Sequence, residues 1–134
     1  KNKISKLDID TEDYAHILLK SKEGFTVDLS LDYLSSIYKR GMNIIMDGEN
    51  IEWDYVSGAI TLFNKSNPKG LEIHRLDNSF ERNDMFESTM KDFILNLSTN
   101  NNDLDYCDFN QGVYSLLLAT KSHESSGLGG WIKL

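Results

Sequence analysis

The sequence predicts an α+β domain, a two-layer, largely antiparallel open sheet with helices packed on one face, spanning all 134 residues. Two observations carry that expectation. Through the first half of the chain apolar residues alternate with polar ones, the two-residue period of a strand with one buried face. Beyond Phe80 they recur at three- and four-residue steps, the period of an amphipathic helix. With one apolar stripe each, both helices can cover one face of the sheet and leave the other bare. A bare face stays polar or finds a partner, and a homo-oligomer through that open face is the expected use.

The elements follow in order. Tyr14 to Lys20 is apolar and leads into the turn Lys22-Glu23-Gly24. Phe25, Val27, Leu29, Leu31 and Tyr33 then alternate with Thr26, Asp28, Ser30 and Asp32, so the two runs read as a hairpin. A second hairpin has Met42, Ile44 and Met46 before Asp47-Gly48-Glu49, and Ile51, Trp53 and Tyr55 after it. Ala59 to Phe63 and Leu71 to Leu76 are further strands, joined by the polar loop Asn64 to Gly70 with its single proline, Pro68. Phe86, Met90, Phe93, Ile94 and Leu97 mark the first helix, with Asn83 as its expected N-cap. After the asparagine-rich loop Ser98 to Asp103, a second helix starts near Asp108 and carries Val113, Leu116 and Leu117 until glycines 127, 129 and 130 stop it. Trp131 to Leu134 is apolar enough to rejoin the sheet as a last strand.

Composition narrows the function. With 21 acidic against 14 basic residues and a net charge of -7, phosphate backbones and anionic lipid are poor partners, so neither nucleic acid nor a membrane is expected. The lone Cys107 cannot form a bridge within the chain and fits a reducing, cytoplasmic compartment. The chain opens at Lys1 without an initiator methionine, as a processed or excised piece of a longer polypeptide would.

Few residue groups point to chemistry. Asp8 to Asp13 places oxygens at alternate positions, as a calcium loop does, but Asp13 stands where the tight turn needs glycine; a solvated acidic turn is expected. Asp28 and Asp32 lie roughly 13 Å apart along a strand, too far for a glycosidase pair. His16, His74 and His123 are scattered, which gives a zinc site no support. Ser122-His123-Glu124 has the residue types of a hydrolase triad, yet helix neighbours point apart and cannot relay a proton. Gly127-Leu128-Gly129-Gly130 follows a helix instead of opening one, the reverse of a dinucleotide fingerprint. Phe86 and Phe93 read as core. Lys39-Arg40, after Tyr38, is a basic pair beside an aromatic near a strand end; it is either a surface pair or a grip for an anionic substrate group.

Taken together, Asp10-Thr11-Glu12-Asp13-Tyr14-Ala15, Ser21-Lys22-Glu23-Gly24 and Leu31-Asp32-Tyr33-Leu34 followed by Lys39-Arg40 resemble the C-terminal domain of the Gfo/Idh/MocA family of NAD(P)-dependent oxidoreductases. The likeness continues through Asp47-Gly48-Glu49-Asn50-Ile51-Glu52-Trp53-Asp54, Asn83-Asp84-Met85-Phe86-Glu87, His123-Glu124-Ser125-Ser126 and Gly130-Trp131-Ile132-Lys133-Leu134. It covers nearly the whole chain and is carried by order and spacing. The Leu-Asp-Tyr and Trp-Asp-Tyr wording is similar to members acting on nucleotide-linked or acidic sugars.

The resemblance implies the substrate-side and oligomerisation domain of a sugar dehydrogenase, inactive alone, which orients a sugar or nucleotide-sugar substrate. It implies NAD(P) for the intact protein, held on an N-terminal Rossmann domain outside these residues, and no cofactor on this fragment. Substrate contacts would fall on Tyr33, Tyr38 and Arg40, with no catalytic residue and no metal here. The chain departs from the pattern at Ser35-Ser36-Ile37, where similar proteins tend to carry a glutamine and an arginine. The alternative is a stand-alone, non-catalytic binding or dimerisation module of the same fold, with a hydrolase a distant third.

Overall fold

The computed structural model describes residues 3–99 and 107–134. Its elements run β1 (Tyr14–Lys20), β2 (Thr26–Asp32), β3 (Gly41–Met46), β4 (Glu49–Asp54), β5 (Ala59–Asn64), β6 (Leu71–Arg75), α1 (Arg82–Thr99) and α2 (Phe109–Leu128). Antiparallel strands followed by helices make it an α+β fold. The strands divide into a two-stranded sheet, β1-β2, and a four-stranded sheet, β3-β4-β5-β6, where the sequence suggested one sheet. Two compact units result: Lys1–Leu34 with Asn96–Leu134, and Ser35–Leu95.

In the first unit, cross-strand pairing sets Ala15, Ile17 and Leu19 opposite Leu31, Leu29 and Val27, so the apolar side chains of both strands share one face. The face is only partly covered: Val27, Leu29 and Leu31 are 41, 39 and 53% exposed. The hairpin end is tied by Asp13, 1% exposed, whose carboxylate accepts the amide N–H groups of Ile4 at 2.9 Å and Ser5 at 2.6 Å. Asp13 also accepts the Tyr33 N–H at its carbonyl, 2.8 Å away, closing the β1-β2 ladder. The expected solvated acidic turn is corrected at this residue, because three backbone donors converge on it. Helix α2 begins in a reciprocal capping box, with Asp108 Oδ1 accepting from Gln111 N at 2.7 Å and Gln111 Oε1 accepting from Asp108 N at 2.9 Å.

The second unit is a meander. Its register aligns Met42, Trp53, Ile60 and His74 across all four strands, and Ile44, Ile51, Leu62 and Leu71 in a parallel row. An irregularity between Ile60 and Thr61 leaves Ile73 as the extra residue on β6. Residues three apart on a regular strand face opposite sides, but across this bulge Glu72 and Arg75 share a side and form an ion pair. Two glycines permit close approach. A Cβ at Gly41 would sit 2.5 Å from the Trp53 carbonyl oxygen, and one at Gly70, which has φ +88, would sit 2.6 Å from Thr61 Cγ2.

Four expectations change. The stripe Phe86, Met90, Phe93 and Ile94 of α1, expected to cover the sheet, is more than half exposed at every position. Asn83 is not the cap: α1 opens at Arg82, and Asp84 Oδ2 accepts the Glu81 N–H at 2.8 Å, satisfying a first-turn donor from within the helix. Gly127 lies inside α2, which ends at Gly129 in the left-handed conformation. Trp131 to Leu134 forms no strand. Ser125 Oγ donates to Gly130 O at 2.5 Å and turns the chain back, and Trp131, Ile132 and Leu134 line a groove with β1 and α2 instead. Of the asparagine-rich loop, Ser98 and Thr99 complete α1, and residues 100–106 lie outside the described residues.

Candidate functional site

One end of the four-stranded sheet gathers aromatic and cationic side chains. The Tyr55 N–H donates to the Arg40 carbonyl at 2.9 Å, which extends the β3-β4 pairing by one step and sets Arg40 opposite Tyr55. The strand period then places Tyr55 and Trp53 on the same side as Arg40. Its guanidinium accordingly lies 5.3 Å from the Tyr55 ring centroid and 5.9 Å from that of Trp53. At a partly exposed site each such cation–π contact contributes about 0.5 to 1 kcal/mol. Tyr38 completes the cluster, edge-on to Tyr55 at 6.0 Å, and Trp53 meets Tyr55 edge-on at 6.2 Å.

Tyr38 and Tyr55 line a cleft of about 440 Å³ whose remaining walls are the β4-β5 turn, Val56 to Gly58, and the β6-α1 junction, with Leu76, Asp77, Asn78, Phe80 and Arg82. Hydrogen bonds hold these walls. Leu76 N donates to Gly58 O at 2.8 Å, and Arg75 Nη1 to Ser57 O at 2.9 Å. The Ser79 hydroxyl and amide hold the Asp77 carboxyl below its ordinary range, and the Ser57 hydroxyl with the Val56 amide does the same for Asp54. The guanidinium of Arg75 lowers the Glu72 carboxyl likewise. These carboxylates stay ionised with their charge engaged by protein donors.

Of the three expected substrate contacts, Tyr38 and Arg40 meet in this cluster. Tyr33 belongs to the first unit, 68% exposed, with its amide given to Asp13. Trp53, Tyr55 and Arg82 went unassigned in the sequence reading. The alternation Trp53-x-Tyr55, set opposite Met42 and Arg40, carried the signal for the first two, but only a register could make it legible.

The first unit has a groove of about 240 Å³ lined by His16, Lys121, Ser122 and Trp131 among others. His16 Nε2 is 2.7 Å from Asp28 Oδ1, so the two side chains pair across the β1-β2 hairpin. Ser122 Oγ donates to the Leu118 carbonyl one helical turn back at 2.8 Å, and His123 Nδ1 faces Glu12 Oε1 at 3.7 Å. The Ser122-His123-Glu124 sequence therefore builds no relay. Among the described residues no cluster of His, Cys, Asp or Glu is arranged to hold a metal ion, and no helix is long and apolar enough to cross a membrane. Comparison of the chain with protein-family models, curated proteins and solved structures finds no match.

Proposed function

We propose that this chain is the substrate-side and assembly part of an NAD(P)-dependent sugar dehydrogenase, acting with a dinucleotide-binding domain outside these residues. The observation that carries the reading is the Tyr38-Arg40-Trp53-Tyr55 cluster beside the cleft. Aromatic rings offer an apolar shelf for the C–H face of a sugar, and a guanidinium offers forked donors for its oxygens. The half-exposed apolar rows on β2 and β3, where Leu31 is 53% and Met42 55% exposed, supply surface for self-association.

The chain itself does not fit NAD(P). Pyrophosphate binding uses a glycine-rich turn from a strand into a helix N-terminus, and the β6-α1 junction, Leu76 to Glu81, contains no glycine. Hydride exchange and its accompanying proton transfer belong to the other domain. These residues bind and orient the sugar.

Calorimetry with NADH tests the division of labour: the chain is expected to bind none, and micromolar affinity overturns the proposal. Light scattering is expected to show a dimer or larger, against a monomer if the apolar rows are not interfaces. If the native polypeptide that carries these residues also fails to bind NAD(P), the same cleft serves a non-catalytic sugar-binding module.

A further inference from the structure

We infer that the open edge of β2 pairs with the β2 edge of a second copy, joining two β1-β2 hairpins into one four-stranded sheet across a two-fold axis at Leu29. This locates the self-association proposed above on a sheet edge, and rests on that reading. In an antiparallel pair the backbone groups of alternate residues point at the partner strand, and those between them point away. Two bonds fix which are which here. Tyr33 N donates to Asp13 O at 2.8 Å and Ser21 N to Phe25 O at 2.9 Å, so the odd-numbered residues of the hairpin bond to each other. The N–H and C=O groups of Thr26, Asp28 and Ser30 therefore face outward, with no strand beside them among the described residues. Every residue of β2 is exposed. The outer edge of β1 differs, because it borders the groove walled by α2 and Trp131.

The strand Thr-Val-Asp-Leu-Ser-Leu-Asp has the same polar-apolar order read from either end. Antiparallel pairing about Leu29 sets Leu29 opposite Leu29, Val27 opposite Leu31, and Asp28 opposite Ser30 of the other copy. The outward groups of Asp28 and Ser30 then bond reciprocally, and the row Ile17-Leu29 of one hairpin continues into Leu29-Ile17 of the other. Charge selects this register. Sliding by two residues sets Asp28 against Asp28 or against Asp32 of the other copy, and like charges directly opposite are unfavourable. Sliding by one sets apolar residues opposite polar ones, and longer slides leave less than half of the seven residues paired. About Leu29, by contrast, Asp28 meets a serine and Asp32 a threonine. His16 of its own chain already engages Asp28 Oδ1 at 2.7 Å, which leaves Oδ2 to accept the Ser30 hydroxyl of the other copy. A two-stranded sheet is marginal alone, whereas four strands sharing one apolar face are not. The contact is self-complementary and closes on itself.

The test follows the mass of the full chain by sedimentation and the amide exchange of β2 by NMR over a dilution series. A dimer is expected, with the Asp28 and Ser30 amides exchanging about tenfold or more slowly than in the diluted monomer. Ser30→Asp sets a carboxylate opposite Asp28 twice in each dimer, while within the chain it faces His16 and leaves the hairpin intact. It is expected to weaken association about fivefold or more, and less at high salt; Ser30→Lys is expected to strengthen it. A dimer whose Asp28 and Ser30 amides stay unprotected overturns the edge contact and leaves self-association through the apolar faces standing. Equal association of the unaltered chain, Ser30→Asp and Ser30→Lys does the same. A monomer at every concentration overturns both.

Discussion

The two units hold their strands by different means. The first has, among the described residues, a two-stranded sheet, an arrangement marginally stable alone, and relies on side-chain acceptors at its ends: Asp13 for Ile4 and Ser5, and Asp108 for the start of α2. The second has four strands in register and relies on close backbone approach at Gly41 and Gly70. Where ladder hydrogen bonds are few, a single buried carboxylate does the work of a missing strand; where they are many, the absence of a side chain matters more than its presence.

The sharpest way to break this contrast is Gly70→Ala. It imposes φ +88 on a residue with a Cβ, 2.6 Å from Thr61 Cγ2 and 2.8 Å from the Phe63 ring. A loss of about 3 kcal/mol is expected, measured by urea denaturation, with the damage confined to amide protection in β3 to β6. Unchanged protection there would show that the loop repacks freely. Asp13→Ala should do the converse. The amides of Ile4 and Ser5 are expected to exchange about tenfold faster while those of β4 and β5 keep their rates, and equal loss in both units would dissolve the distinction.

Acid sharpens the same point. The Ile4 amide first, and the Ser5 groups after it, hold the Asp13 carboxyl at about 2, down from its ordinary 3.8. A lowered carboxyl stabilises the fold where it is ionised, above the unfolded value, and that contribution disappears as pH falls through the folded value. Protection at Ile4 and Ser5 should therefore persist at pH 4 and decay toward pH 2; decay already complete at pH 4 would contradict it. The smallest effect is expected from Asp108→Ala, about 1 kcal/mol from the lost cap, seen as fraying of the first turn of α2 by NMR.

Much of the fold could be read from local pattern. Both hairpin turns, all six strands, both helices and the Asp108 cap follow from period and turn chemistry, each set by residues close in sequence. What escaped depends on distant neighbours. Asp13 looked like one more acidic turn residue because its donors, Ile4 and Ser5, lie nine and eight positions away. The division into two sheets was invisible because strand period says which face a side chain takes, not which strand lies beside it. The site shows the same limit: Tyr38 and Arg40 stood out as an aromatic and a cation, whereas Trp53 and Tyr55 read as strand core until the β3-β4 register set them beside Arg40.

The extra residue on β6 conceals a second possible register. Were the ladder to regularise by slipping one step, Ile73 would pair with Ile60 and Arg75 would swing to the side occupied by Trp53, abandoning Glu72. Arg40 and Arg75 would then share one surface. Bulge and ion pair together thus act as a charge sorter, parking one arginine on the reverse of the sheet and limiting how much positive potential its obverse can present.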